Sequence, residues 1–167
     1  MTPPTVLTPA LADFVTSHLS IHIAASDDHG VATLVRGLGC RRDPATADRL
    51  RLLVAAPQAE PVLRALAANG RIAVVFSEPE SHRTVQLKGH DAHRAERDPD
   101  DTALLAPYID TLVVRLATVG TPEAFVRALL HCPAEALCIV RFTPDEVFGQ
   151  TPGPQAGQRL AAGSALP

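Results

Sequence analysis

The 167-residue chain contains no tryptophan and a single tyrosine, and aromatic residues make up only 4% of it. Stacking platforms for bases or sugars are therefore scarce, and the core must be built from Val, Leu, Ile and Ala. A basic excess is missing as well: 15 Lys and Arg stand against 18 Asp and Glu, a net charge of -3. That balance speaks against a nucleic-acid partner. It is also too mild for a disordered acidic chain, since 46% of residues are hydrophobic and 20% charged. Long apolar runs are lacking; residues 72–76 and 111–116 fall far short of a membrane span, so no membrane partner is expected. The opening MTPPTVLTPALADF has neither a basic n-region nor a long apolar h-region. Three cysteines, Cys40, Cys132 and Cys138, show no CxxC spacing. The expectation is a cytoplasmic protein with reduced, partly buried thiols.

What is present reads as short elements. Thr8 caps a helix that Pro9 opens, with Leu11, Phe14, Val15 and His18 on one face. Strict alternation follows, Leu19, Ile21 and Ile23 against Ser20, His22 and Ala24, which predicts a half-buried strand. Asp27-Asp28-His29-Gly30 is turn chemistry, and a strand over 31–38 completes a hairpin. Residues 41–48 read as a polar loop, 50–56 as an apolar strand, and 59–69 as a helix ended by Gly70. A continuous apolar strand over 71–77 belongs in the middle of a sheet. Strand 82–89 sets Val85 and Leu87 against Thr84, Gln86 and Lys88. The charged stretch 91–101 (DAHRAERDPDD) reads as solvated, with Asp100 or Asp101 capping a helix that Pro107 breaks or kinks. Thr121-Pro122-Glu123 opens a short helix to Leu130, and 136–142 is the last strand. From Thr143 the tail, with Pro144, Pro152, Gly153, Pro154 and Gly157, is expected to be irregular. Neither a repeat nor a linker is visible, so residues 1–167 are expected to form a single domain. About six strands with few β-α-β alternations point to an α+β fold with a small antiparallel barrel.

Recognised catalytic motifs are absent: no Walker loop, GxGxxG, GxSxG or HExxH occurs. Gly37-Leu38-Gly39 is a fragment without its third glycine. His90 and His93 flank Asp91, with His82 upstream, but a three-residue spacing on a strand sends the two rings to opposite faces, and no metal site is assigned. Cys132 precedes Pro133 at a helix end, where a structural thiol is expected. No side chain stands out as a general base, and no catalytic residue is assigned. The row Thr84, Gln86 and Lys88, with Arg83 at its entrance, is either a solvated strand face or a cradle for an anionic or heterocyclic ligand. Arg36 is a further cation in an otherwise apolar run, or an exposed edge residue.

The segment from Arg71 to Gly89, RIAVVFSEPESHRTVQLKG, resembles the central strand pair of pyridoxamine 5'-phosphate oxidase-like proteins, the FMN-binding split β-barrel family. The first helix, residues 20–25, the Asp-Asp-His-Gly turn and residues 31–39 are similar to that family's opening hairpin. The tail from Thr143 to Pro154 resembles the end of its small, stress-protein-like members. The resemblance implies a six-stranded antiparallel split β-barrel with flanking short helices. It also implies a homodimer with a cofactor cleft at the interface, FMN as cofactor, and a flavin-dependent oxidoreductase acting on a small-molecule ligand. Carried over by position, the cofactor-binding residues are Arg36, Ser77, Arg83, Thr84, Gln86 and Lys88. A dianionic phosphate favours two or more cations, with Arg suited to bidentate contact. The chain departs from the family at 55–61 (AAPQAEP), where the helix start carries no cation. Losing such a contact weakens flavin binding by roughly 1–3 kcal/mol. The full signature for oxidising pyridoxamine phosphate is not visible either. A haem or other tetrapyrrole module, drawing on His82, His90 and His93, is one alternative, and a dimer with a decayed cofactor site is another. A deazaflavin in place of FMN also stays open.

Overall fold

A computed structural model describes residues 6–161, 163 and 164. Helix α1 (Pro9–Val15) starts where the sequence places it: the Thr8 hydroxyl accepts from the Leu11 N–H, and Pro9 fills the first turn. Leu11, Phe14 and Val15 are buried, whereas His18 lies beyond the helix end. Strands β1 (Ser20–Ser26) and β2 (Ala32–Arg36) form the expected hairpin. Its turn is held by the Asp27 carboxylate, which accepts from the N–H groups of His29 and Val31 at 2.9 Å each.

The first departure comes at residues 37–39. The expected strand over 31–38 ends at Arg36, and the chain restarts as β3 (Gly39–Arg42) in a different sheet. Gly37 makes the crossing feasible, because a Cβ there would stand 2.6 Å from the Ile21 side chain. Arg41 and Arg42, read from sequence as loop, are therefore strand residues. Strand β4 (Leu50–Ala55) is buried along its whole length and runs directly into α2 (Ala56–Asn69). Gly70 caps α2 in the left-handed region at φ 68°, as the sequence predicts. Strands β5 (Ile72–Ser77) and β6 (Thr84–Gly89) pair antiparallel, Ile72 opposite Gly89 and Ser77 opposite Thr84. β5 is central, as expected, but buried on one face only. The strand enclosed on both faces is β4.

After the short β7 (His93–Ala95) comes α3 (Pro99–Ala117), which passes through Pro107 without ending. Its cap is Asp98, not Asp100 or Asp101: Asp98 accepts from the Asp101 N–H while the Asp101 carboxylate accepts from the Asp98 N–H, both sides of a capping box. Asp101 is fully buried, which corrects the solvated reading of 91–101 at that residue. Helix α4 (Glu123–Leu129) and strand β8 (Leu137–Phe142) follow. The tail is not irregular at its start. β9 (Glu146–Gly149) pairs with β6 and β10 (Gln158–Arg159) with β9. Val147 and Gly149 face inward and Glu146 and Phe148 outward, a four-residue alternation that the prolines on either side mask in the sequence.

The architecture is α+β with antiparallel sheets. One sheet has six strands in the order β10-β9-β6-β5-β1-β2, the other four in the order β3-β4-β8-β7. Among the described residues the strands do not close into a single six-stranded barrel, since the crossing at Gly37 divides them between two sheets. One core fills the interior, with Tyr108, Phe76 and Phe142 its largest fully buried side chains. The Tyr108 hydroxyl donates to the Leu19 carbonyl at 2.8 Å, tying α3 to the start of β1.

Candidate functional site

Period-two geometry gives the six-stranded sheet a buried inner face and an outer face of half-buried residues. Register sets that outer face in rows. One row runs Arg36, His22, Val75, Gln86 and Phe148 across β2, β1, β5, β6 and β9. The next runs Leu34, Ala24, Ala73, Lys88 and Glu146. A third brings Ser20, Ser77 and Thr84 together. Leu34 is 65% exposed, unusual for a leucine in a strand.

Five of the six residues nominated from sequence lie on this face, but they do not converge on one point. Ser77 and Thr84 share a hydrogen bond at 2.8 Å, and the Gln150 amide approaches Gln86 at 3.5 Å. Lys88 Nζ sits 4.4 Å from the centroid of the Phe148 ring, and no carboxylate lies within salt-bridge distance of it among the described residues. Arg36 is on the same face, three strands away from Gln86. At about 4.8 Å per strand that is roughly 14 Å, too far for Arg36 and Lys88 to grip one phosphate together. Arg83 is turned away. Its guanidinium lies 4.7 Å from the Phe14 ring centroid, on the side covered by α1. Odd numbering in this strand puts Arg83 with Val85 and Leu87, a signal the sequence already carried.

The face also holds a residue that sequence reading passed over. His22 stands between Arg36 and Val75, and burial, then the Arg36 charge, holds its pKa below the ordinary imidazole value. Its ring is therefore neutral at pH 7. His18, at φ 58°, behaves alike, lowered first by burial and then by Arg115, and its buried Nδ1 has no hydrogen-bond partner. Both groups take up protons more readily in the unfolded chain. Their contribution to stability is complete above pH 6.5 and declines as pH falls below that value. Thermal unfolding measured from pH 7 to 5 should show a falling melting temperature, and the double variant His18→Gln/His22→Gln should flatten that slope. An unchanged slope would remove both rings from the acid response.

The remaining nominated features take other roles. His90 Nδ1 meets the Asp145 carboxylate at 2.6 Å, and His93 Nδ1 lies 2.8 Å from the Asp91 carbonyl. Among the described residues no three metal-ligating side chains gather. Cys40, Cys132 and Cys138 are free and buried; burial raises all three thiols, so none is poised as a thiolate. The helix start at 55–61 has no side-chain cap and carries no cation.

No family model matches the chain, and no curated protein does. Solved structures do. One is a pyridoxamine 5'-phosphate oxidase-related, FMN-binding protein from Nostoc punctiforme PCC 73102. It is 14% identical with a TM-score of 0.50, the match covering 93% of this chain and 89% of that one. Another is a protein from Lactobacillus delbrueckii described as a putative pyridoxamine 5'-phosphate oxidase. It is 14% identical with a TM-score of 0.51, over 86% of this chain and 93% of that one. HupZ from Group A Streptococcus is 13% identical with a TM-score of 0.51, over 90% and 98%. Within the described residues no helix is long and apolar enough to cross a membrane. The chain has the fold of the pyridoxamine 5'-phosphate oxidase-like proteins.

Proposed function

We propose that this protein binds a flavin, FMN, on the outer face of its six-stranded sheet, and that two chains meet across that face. The observation that carries this reading is the cation Lys88, without a carboxylate partner among the described residues, beside the Gln86 amide and a flat floor of Ala24, Ala73 and Val75. These residues fit the group: an ammonium suits a phosphate, an amide suits the polar edge of a heterocycle, and small side chains admit a ring. The fold is shared with a protein described as FMN-binding. The α2 start supplies no cation for phosphate, so the cation must come from the sheet. Exposed Leu34 and Val31 on β2 and its turn would be covered by the second chain of a homodimer. The chain's own residues bind and orient the flavin; hydride or electron transfer is the chemistry the flavin supplies when bound, and a flavin-dependent oxidoreductase is the activity that follows.

A second reading is favoured by His22. A neutral, half-buried imidazole on the same face is the form that ligates haem iron. Visible absorption after adding FMN and removing the excess separates the two. Retained flavin bands are expected, with Lys88→Ala weakening retention roughly fivefold to tenfold and Arg83→Ala leaving it unchanged, since Arg83 faces α1. A protein that stays colourless with FMN but takes haem with a Soret band lost in His22→Ala would overturn the flavin reading. Retention of neither would favour a site that has lost its cofactor.

A further inference from the structure

The register of β5 and β6 brings to Lys88 a second cation, Arg71, that none of the readings above uses. Ile72 pairs with Gly89 and Ala73 with Lys88, so Arg71 and His90, one step beyond, stand opposite each other on the outer face. Arg71, Lys88 and His90 thus border one cleft of about 360 Å³. Its floor is made by Ala24, Ala73 and Gly89. Larger side chains at Ala24 and Ala73, which lie on the outer face, would fill the space. No carboxylate lines it. Of the nearby acids, Asp145 pairs with His90 Nδ1 at 2.6 Å and Glu146 with Arg159 at 3.5 Å, and neither pairs with Arg71 or Lys88. Arg71 has no salt bridge among the described residues. Two cations bordering one cleft raise its positive potential, which an anion seated between them would offset.

We infer that Arg71 and Lys88 hold the phosphate of a phosphomonoester whose planar portion lies on the alanine floor. Arg71 supplies the second cation that a dianion favours and that Arg83, turned toward α1, does not. FMN is such a ligand, so the inference deepens the flavin reading, yet the anion site is a separate claim with its own probe. Phenyl phosphate carries the same two features, a ring and a dianion, on a small scale.

Titration of the full chain with phenyl phosphate, followed by amide shifts in two-dimensional NMR, should give saturable changes at Arg71, Ala73, Gly89 and His90. Phenol should give none. Arg71→Ala and Lys88→Ala should each weaken the dissociation constant by roughly fivefold, and together by more. Arg94→Ala, a charge-matched change on β7 in the other sheet, should leave it unaltered. Shifts that do not saturate, that appear equally with phenol, or that Arg94→Ala reduces as much as Arg71→Ala would overturn the site. The flavin reading is scored apart, by its visible band. FMN retained with full affinity in Arg71→Ala would break the link between the two, and phenyl phosphate binding to a protein that holds no FMN would leave the anion site standing alone.

Discussion

Replacing Asp101 with asparagine should lower stability more than any other conservative change in this protein. Its carboxylate is fully buried and accepts from Arg51 Nη2 at 2.5 Å, Arg51 Nε at 3.0 Å and Arg41 Nε at 2.7 Å. Arg41 also pairs with Asp98, and Arg51 and Arg141 reach Asp43, so three arginines and three aspartates interlock beneath the start of α3. Burial pushes the Asp101 carboxyl up, but Arg51, the Asp98 N–H and Arg41 together outweigh it and hold the group below its ordinary range. An amide there would leave the buried Arg51 with only its longer contacts to Asp43 and Asp98, both at 3.8 Å. Removing one partner of a buried ion pair costs about 3–5 kcal/mol. For a domain of this length that lowers Tm by roughly 6–20 °C. The sign with pH follows from the depressed carboxyls of Asp101 and Asp43: their contribution is present above pH 3.8 and is lost as pH falls below it. Asp101→Asn should therefore flatten the acid limb of a stability profile as well as lower its plateau. Pairing it with Arg51→Met tests the mechanism. If the loss comes from the stranded arginine, the double variant will be more stable than the sum of the two single effects predicts. Strict additivity would show that the two side chains act independently.

That network also shows what the sequence could and could not disclose. Local signals were legible: Thr8 and Pro9 at α1, Gly70 after α2, and the Asp27 turn each act within a few residues and stand where expected. Arg51 and Asp101 lie 50 positions apart, and nothing near either one announces the other. In sequence Asp101 is one more acid in a charged run, and burial is a property only the packed chain confers. β9 escaped notice because four alternating residues between prolines are too short a period to read. At the candidate site, period two correctly separated Thr84, Gln86 and Lys88 from Val85 and Leu87. The same parity would have withdrawn Arg83. Arg71 was absorbed into an apolar run, since its meaning depends on facing His90 across a register that only strand pairing fixes.

Gly70 ties the cleft to the fold, and Gly70→Ala should damage both. The residue ends α2 at φ 68°, its N–H donating to the Leu66 carbonyl at 2.8 Å and its carbonyl accepting from the Ala92 N–H at 3.0 Å. A Cβ there would lie 2.6 Å from the carbonyl oxygen of His90. A left-handed alanine costs about 1–2 kcal/mol, and backbone cannot yield as a flexible side chain would, so the total should approach roughly 2–4 kcal/mol. Relief requires moving either Arg71, the next residue in the chain, or His90, and both border the cleft. Phenyl phosphate affinity should accordingly fall in Gly70→Ala even at temperatures where the variant is fully folded. Gly70→Asn separates the two causes. Asparagine tolerates the left-handed conformation but brings the same Cβ. If the contact with His90 dominates, Gly70→Asn will be as impaired as Gly70→Ala in both melting and binding. If conformational strain dominates, asparagine will recover most of the stability. Recovered stability together with intact phosphate binding would show that the α2 cap and the cleft are independent, and that the close approach of Gly70 to His90 serves the fold alone.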